Sequence, residues 1–271
     1  MSGTVIVTGA STGIGRATAL HLAALGFRVL AGVRREEDGV ALGPSVEPML
    51  LDITDDAQVA NTAEAAHDEG LTGLVNNAGI GVGGPLETLA LDDLRRQLEV
   101  NLVGHVAMTQ AALPLLRQTG GRIVNIGSVG GRMALPYLGP YSASKAAMRS
   151  LTDSLRMEVR QFGIRVALIE PGAIATEIWR KGGESVEELD RELDDEERRL
   201  YGGALAAMPK VLRRMASGAI PPERVAKVVE HALTAPRPRP RYLVGPDAHV
   251  QAALVRLGPR VTDRLIALAM R

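Results

Sequence analysis

Three features of the sequence predict an α/β protein with a doubly wound sheet. Apolar, β-branched runs recur along 271 residues, helical patterns separate them, and a glycine-rich turn directly follows the first run. Runs without clean polar alternation belong to strands buried on both faces, and strands joined by helices lie parallel through right-handed crossovers. The expectation is a single domain over residues 1–271, with a central seven-stranded parallel sheet flanked by helices on both faces.

The strand runs are Thr4–Thr8, Arg28–Val33, Val46–Leu51, Leu71–Asn76, Arg122–Ile126, Arg165–Ile169 and Arg241–Val244. Helical patterns fill Ile14–Leu25, Asp55–Asp68, Leu91–Leu116, Tyr141–Gln161 and Pro222–Ala235. The first turn, Thr8-Gly-Ala-Ser-Thr-Gly-Ile-Gly15, closes a strand and opens a helix. Glycines there let the backbone approach a pyrophosphate, and the unpaired N–H groups of the helix start face it. Thr8, Gly9, Ser11, Thr12, Gly13, Ile14 and Gly15 are therefore candidate cofactor contacts in a Rossmann-type domain. The spacing departs from the usual Gly-x-Gly-x-x-Gly fingerprint, because three residues separate the first two glycines.

Where an NAD-binding strand would end near an acid, the second strand ends at Arg34 and Arg35, with Glu36 and Glu37 following. Guanidinium forks suit a 2′-phosphate, so NADP(H) is favoured over NAD(H); two exposed loop arginines are the plainer alternative. Asp52, with Ile53 beside it, is placed for an adenine amino group or for a helix cap, and Thr54-Asp55-Asp56 fits the cap better. Asn77, Ala78 and Gly79 end the fourth strand, and small residues at the carboxyl edge of a sheet suit close approach of a cofactor.

The stretch Gly127–Lys145 carries the chemistry. Ser128 follows a buried strand, and Tyr141 and Lys145, four apart on one helix, share a face. Alone, a Tyr-x-x-x-Lys pair is usually an ordinary helix face. A phenol titrates near about 10, and an ammonium beside it favours the phenolate. Moving it to about 7 requires roughly 4 kcal/mol, which a close cation plus hydrogen bonds would supply. The Ser128 hydroxyl would then hold a substrate oxygen against the phenol.

Taken in order, the glycine turn, Asn76-Asn-Ala-Gly79, Asn101, Ser128, Tyr141-x-x-x-Lys145 and Pro171-Gly172 resemble the short-chain dehydrogenase/reductase family over about residues 3 to 180. Ala31–Arg35 and Ser154–Pro171 resemble its retinol- and hydroxysteroid-dehydrogenase-like branch. The resemblance implies an oxidoreductase interconverting a secondary alcohol and a ketone or aldehyde. It implies Tyr141 as proton donor or acceptor, and Lys145 as binder of the nicotinamide ribose. By the same resemblance, Ser128 would orient substrate and Asn101 would hold a relay water. Pro171, Gly172, Ile174 and Thr176 correspond to the segment that holds the carboxamide. The basic residue many NADP-preferring members place before the second glycine is Thr12 here.

Met133, Leu135, Pro136, Leu138, Trp179 and Met208 are apolar and placed near the pocket, Met133, Leu138 and Trp179 foremost, which suggests a bulky lipophilic substrate. Residues 174–220 are expected to form a substrate-loop or lid insertion, with a surface helix pair as the alternative, and residues 246–271 a C-terminal helical extension. Leu151, Leu155 and Val159 share a stripe suited to a partner or to the protein's own core, on a helix that forms the subunit contact in the family, and a homodimer or homotetramer is expected.

Acidic and basic residues balance at 31 each, so no field draws the chain to nucleic acid or an anionic membrane. The absence of cysteine excludes disulfides and thiolate chemistry, and no metal site is expected. With neither a leader pattern nor an apolar span, a cytoplasmic protein is the default expectation. The competing function is a catalytically silent dinucleotide sensor or scaffold of the same fold, disfavoured because Tyr141 and Lys145 are both present.

Overall fold

A computed structural model of the protein describes residues 3–67, 70–177, 189, 191 and 193–269. The strands are β1 (Thr4–Val7), β2 (Arg28–Val33), β3 (Glu47–Leu50), β4 (Leu71–Asn76), β5 (Arg122–Ile126), β6 (Arg165–Pro171) and β7 (Arg241–Val244). They form one sheet in the order β3-β2-β1-β4-β5-β6-β7, parallel throughout. The order reverses between β1 and β4, and crevices for ligands open at the carboxyl ends of strands beside such a reversal.

Alternate residues of the strands feed two separate cores, which is why the runs show no polar face. Val5 and Val7 of β1 point into the core shared with α1 (Gly13–Ala24) and α8 (Glu223–Thr234). Ile6 between them points into the core shared with α3 (Asp56–Ala65) and α5 (Gly104–Thr119). Leu22, Val225 and Val229 fill the first layer, and Leu74, Met108 and Leu116 the second; each is fully buried. Burial of this kind stabilises by about 1.5–3 kcal/mol per large side chain.

Inside the second layer runs a polar chain. Asn76 and Asn125 stand opposite each other in the β4–β5 register, and the Asn76 amide donates to Asn125 Oδ1 at 2.9 Å and Thr109 Oγ1 at 3.0 Å. Asn125 in turn donates to Thr152 Oγ1 at 2.9 Å. Thr109 lies on α5 and Thr152 on α6 (Gly139–Glu158), so the two helices are tied through the sheet.

The long helical pattern from Leu91 divides into α4 (Leu91–Leu98), a π turn over Glu99–Val103, and α5. One short α-helix had no counterpart in the sequence reading, and the expected C-terminal extension is helical. A short α2 (Glu36–Val40) follows β2, and α9 (Pro246–Leu254) and α10 (Pro259–Ala269) form the C-terminal stretch. Within 174–220, α7 covers Asp195–Ser217. The base of that segment is closed by a parallel bridge between Ile174 and Ile220, with Ala175 N–H donating to Ile220 O at 2.9 Å and Ile220 N–H to Ala173 O at 3.0 Å. Among the described residues no helix is long and apolar enough to cross a membrane.

Candidate active site

After β5 the chain runs extended through Ser128, whose hydroxyl oxygen accepts the Gly130 N–H at 3.0 Å and caps a 3-10 turn over Val129–Gly131. The first turn of α6 carries Pro140, at a position where the missing N–H costs nothing. Tyr141 and Lys145 follow one turn apart, and the Ser128 side chain lies close enough to the Tyr141 phenol to favour its ionisation. Lys145 Nζ is buried, donates to the Ile126 carbonyl at 3.0 Å, and stands 5.9 Å from the Tyr141 ring centre. Side chains from two separate segments thus converge at one point. Asn101, fully buried in the π turn, joins them indirectly. Its Oδ1 accepts from Ile80 N at 2.8 Å, and its Nδ2 donates to Ile80 O at 3.0 Å and Ser144 Oγ at 3.2 Å. Ser144 then donates to the Tyr141 carbonyl at 2.7 Å. The Asn101 amide is therefore engaged by the protein at both ends.

The electrostatics correct one expectation. Burial raises the Tyr141 phenol above its ordinary value, and the nearby Ser128 side chain only partly opposes this. Lys145 does not depress the phenol here, because its ammonium is directed at the Ile126 carbonyl and loss of water dominates the tyrosine. Burial lowers Lys145 itself to about 8, still above neutrality. His105, in the first turn of α5, is buried, with Nε2 2.7 Å from the Ala78 carbonyl. A carbonyl only accepts, so the proton sits on Nε2. Burial first, then the Lys145 charge, holds the imidazole at about 3.

The glycine turn is built for close approach. Gly9 and Gly13 have φ of +65° and +55°, which favours glycine. A Cβ on Gly15 would lie 2.2 Å from the Gly9 carbonyl and 2.4 Å from Asn77 Nδ2. Thr8 Oγ1 accepts from Asn77 N at 2.9 Å and Ala78 N at 3.0 Å, while Asn77 Nδ2 donates to Thr8 O at 2.9 Å and Gly9 O at 3.1 Å. The Asn77–Gly79 segment thus fixes the turn from behind, and Gly79 packs against the Asn101 side chain. Thr12 precedes α1 without a side-chain cap, so the first N–H groups of that helix have no side-chain acceptor. This cradle, with half-buried Ser11 at its edge, fits a dinucleotide pyrophosphate.

At the adenosine end the expected residues divide. Arg34 is exposed, but Arg35 departs from the expected pair because its fork is bound to Asp38 at 2.9 and 2.8 Å, with Glu37 at 3.5 Å. Asp52 Oδ1 accepts from Thr54 N at 3.0 Å and Thr54 Oγ1 at 2.7 Å, and Asp55 caps α3 as its sequence suggested. Ile53 is buried against Gly104.

Between the cradle and the phenol lies a cavity of about 210 Å³. Ile14, Pro171, Gly172, Ile174 and Thr176 line it together with Ser128 and Tyr141. Met133, Leu135, Leu138 and Met208 line it as expected; Pro136 is exposed outside it, and Trp179 lies outside the described residues. The sequence reading missed Tyr137, Leu205, Asp247 and Gln251. Tyr137 holds φ +66°, a left-handed conformation rare for tyrosine, and accepts the Gly84 N–H on its carbonyl at 2.8 Å. Asp247 and Gln251, one turn apart on α9, were legible as a pair on one helix face but not as cavity residues.

The family described as short chain dehydrogenase matches residues 3–187. A relative from Ornithobacterium rhinotracheale, named NADPH-dependent 3-dehydrocapnine reductase, is 35% identical over 96% of this chain and 94% of its own. Retinol dehydrogenase 5 from Homo sapiens is 41% identical over 90% of this chain and 81% of its own. The crystal structure of a short chain dehydrogenase/reductase from Burkholderia phymatum in complex with NAD aligns with TM-score 0.80 at 26% identity, covering 94% of this chain and 93% of that one. Fold, site geometry and kinship agree: the chain belongs to the short-chain dehydrogenase family, as an NAD(P)-dependent oxidoreductase of CH–OH and carbonyl groups.

Proposed function

We propose that the protein reduces a lipophilic ketone or aldehyde to its alcohol, with NADPH preferred. The observation that carries this reading is the meeting of Tyr141 and Ser128, with Lys145 buried 5.9 Å from the Tyr141 ring centre, at a cavity also lined by Met133, Leu135, Leu138, Leu205 and Met208. A nicotinamide cofactor supplies the hydride, and the protein supplies orientation and the proton. Thr8–Gly15 would hold its phosphates, Lys145 its ribose, and Pro171–Thr176 its carboxamide.

Ser128 Oγ and the Tyr141 hydroxyl both face the position of a substrate oxygen. Tyr141 donates the proton that becomes the alcohol hydrogen, and the Ser128 hydroxyl stabilises charge building on that oxygen. A protonated phenol is the general acid that the reductive direction needs, and burial opposes its ionisation. The apolar walls exclude water, and Asn101 positions the first turn of α6 through Ser144. NADPH preference rests on the exposed Arg34, whose guanidinium suits a 2′-phosphate, and on the NADPH-dependent relative. Exposed Leu91, Leu151 and Met157 on α4 and α6 support a homodimer or homotetramer, while Leu155 and Val159 pack into the core, the other reading open to that stripe. Residues 174–220 act in this reading as the lid, with Leu205 and Met208 of α7 against substrate.

The test is NADPH oxidation against a panel of apolar ketones and aldehydes by the unmodified protein and by Tyr141→Phe. Turnover in the first and its loss in the second, with NADPH affinity retained, is the expected result. Near-normal turnover in Tyr141→Phe rules out the proton assignment. Cofactor binding without turnover of any compound favours the silent sensor. For cofactor choice, Arg34→Ala should cost about 10-fold in kcat/KM for NADPH and leave NADH unchanged, the loss of one charge-assisted contact.

A further inference from the structure

Glu170, the residue before Pro171, has a side chain only 1% exposed, a place where a carboxylate is rare. Arg132 grips it with both arms: Nε lies 2.7 Å from Oε1 and Nη2 2.5 Å from Oε2, and Arg149 Nε stands 3.8 Å away. A buried ion pair of this kind gives little net stability, since desolvation offsets attraction, but a bidentate fork fixes geometry. What it fixes is the turn that carries Ser128. Arg132 closes that turn, with its N–H on the Val129 carbonyl at 2.8 Å and the Gly131 N–H on the Ser128 carbonyl at 3.0 Å. Behind the turn, a Cβ on Gly131 would lie 2.7 Å from the Lys145 carbonyl, so the turn is wedged between α6 and the end of β6.

We propose that Arg132 and Glu170 are positioning residues, which hold the Ser128 hydroxyl in register with Tyr141 by clamping the 3-10 turn to the last residues of β6. This rests on the reading of Ser128 as the group that orients the substrate oxygen. Neither Arg132 nor Glu170 touches the substrate in this arrangement; both act through Ser128. A side chain held only by its own turn would sample positions off the productive geometry, and catalytic rates fall steeply with displacements of about 1 Å.

A kinetic double-mutant cycle tests this with the fastest ketone of the panel above. Arg132→Met should lower kcat by about 10–100-fold in the enzyme that keeps Ser128, and by less than about 3-fold in a Ser128→Ala background. NADPH affinity should change little in either. Since Arg132→Met leaves a carboxylate buried without its partner, the pair replacement Arg132→Met with Glu170→Leu repeats the cycle in a chain whose packing is preserved. Equal losses with and without Ser128 overturn the clamp while leaving the Ser128 assignment intact. If Ser128→Ala by itself leaves turnover unchanged, the Ser128 assignment falls and the clamp falls with it.

Discussion

The buried imidazole of His105 makes a quantitative statement about acid stability. In the folded chain it titrates at about 3, whereas in the unfolded chain it takes its ordinary value of 6.5. Above the higher value neither form is charged, and the residue contributes no pH dependence. As pH falls below 6.5 the unfolded chain binds a proton that the folded chain refuses, so stability drops, and the drop ends only near the folded value. Between pH 7 and pH 5 the linkage relation gives a loss of about 2 kcal/mol from this one group. The assay is urea unfolding at both pH values for the unmodified protein and for His105→Gln, which keeps a donor for the Ala78 carbonyl but cannot titrate. Subtracting the two pH differences removes the contribution of every other titrating group. The variant should lose about 2 kcal/mol less than the parent on acidification. Identical losses would refute the claim that His105 is held neutral by burial.

Other outcomes follow from the same geometry. Gly15→Ala places a Cβ 2.2 Å from the Gly9 carbonyl and 2.4 Å from Asn77 Nδ2. It should cost about 2 kcal/mol or more in unfolding free energy and weaken NADPH binding, both read by titration; an unchanged midpoint and affinity would contradict the packing described. Asp55→Ala removes the acceptor for Ala57 N and Gln58 N at the start of α3, and should lower the urea stability by about 1 kcal/mol without slowing turnover. Tyr141 should keep its proton past the ordinary phenol value of 10.0, read as the phenolate absorbance of the unmodified protein minus that of Tyr141→Phe; a Tyr141-dependent phenolate band appearing below that value would contradict the direction of its shift.

Much of this was legible in the sequence because the signals were local. A parallel strand buried on both faces reads as an apolar run, so each of the seven strands was located to within a residue or two, and Asp55 could be recognised as a cap from its neighbours. Ser128, Tyr141 and Lys145 were legible because a turn and a single helix bring them together. What was not legible depended on distant partners. Glu170 and Arg132, 38 positions apart, read singly as solvated charges, and nothing in either segment announces the other. Gly202, Gly203 and Pro209 weaken the intrinsic helical preference of Asp195–Ser217, yet that helix forms and buries Leu205 and Met208. The direction of the Tyr141 shift failed for a similar reason: proximity in sequence suggested that the Lys145 ammonium faces the phenol, and the Ile126 carbonyl claims it instead.

The paired amides of Asn76 and Asn125 have a consequence for anyone re-engineering this enzyme. A slip of either strand by a single position would turn its amide toward the opposite layer and cut α5 loose from α6. The sheet is therefore keyed to one setting, and the key sits one residue behind Ile126, whose oxygen anchors Lys145. Any exchange of segments around the cavity therefore has to carry Asn76, Asn125, Thr109 and Thr152 together as an indivisible set.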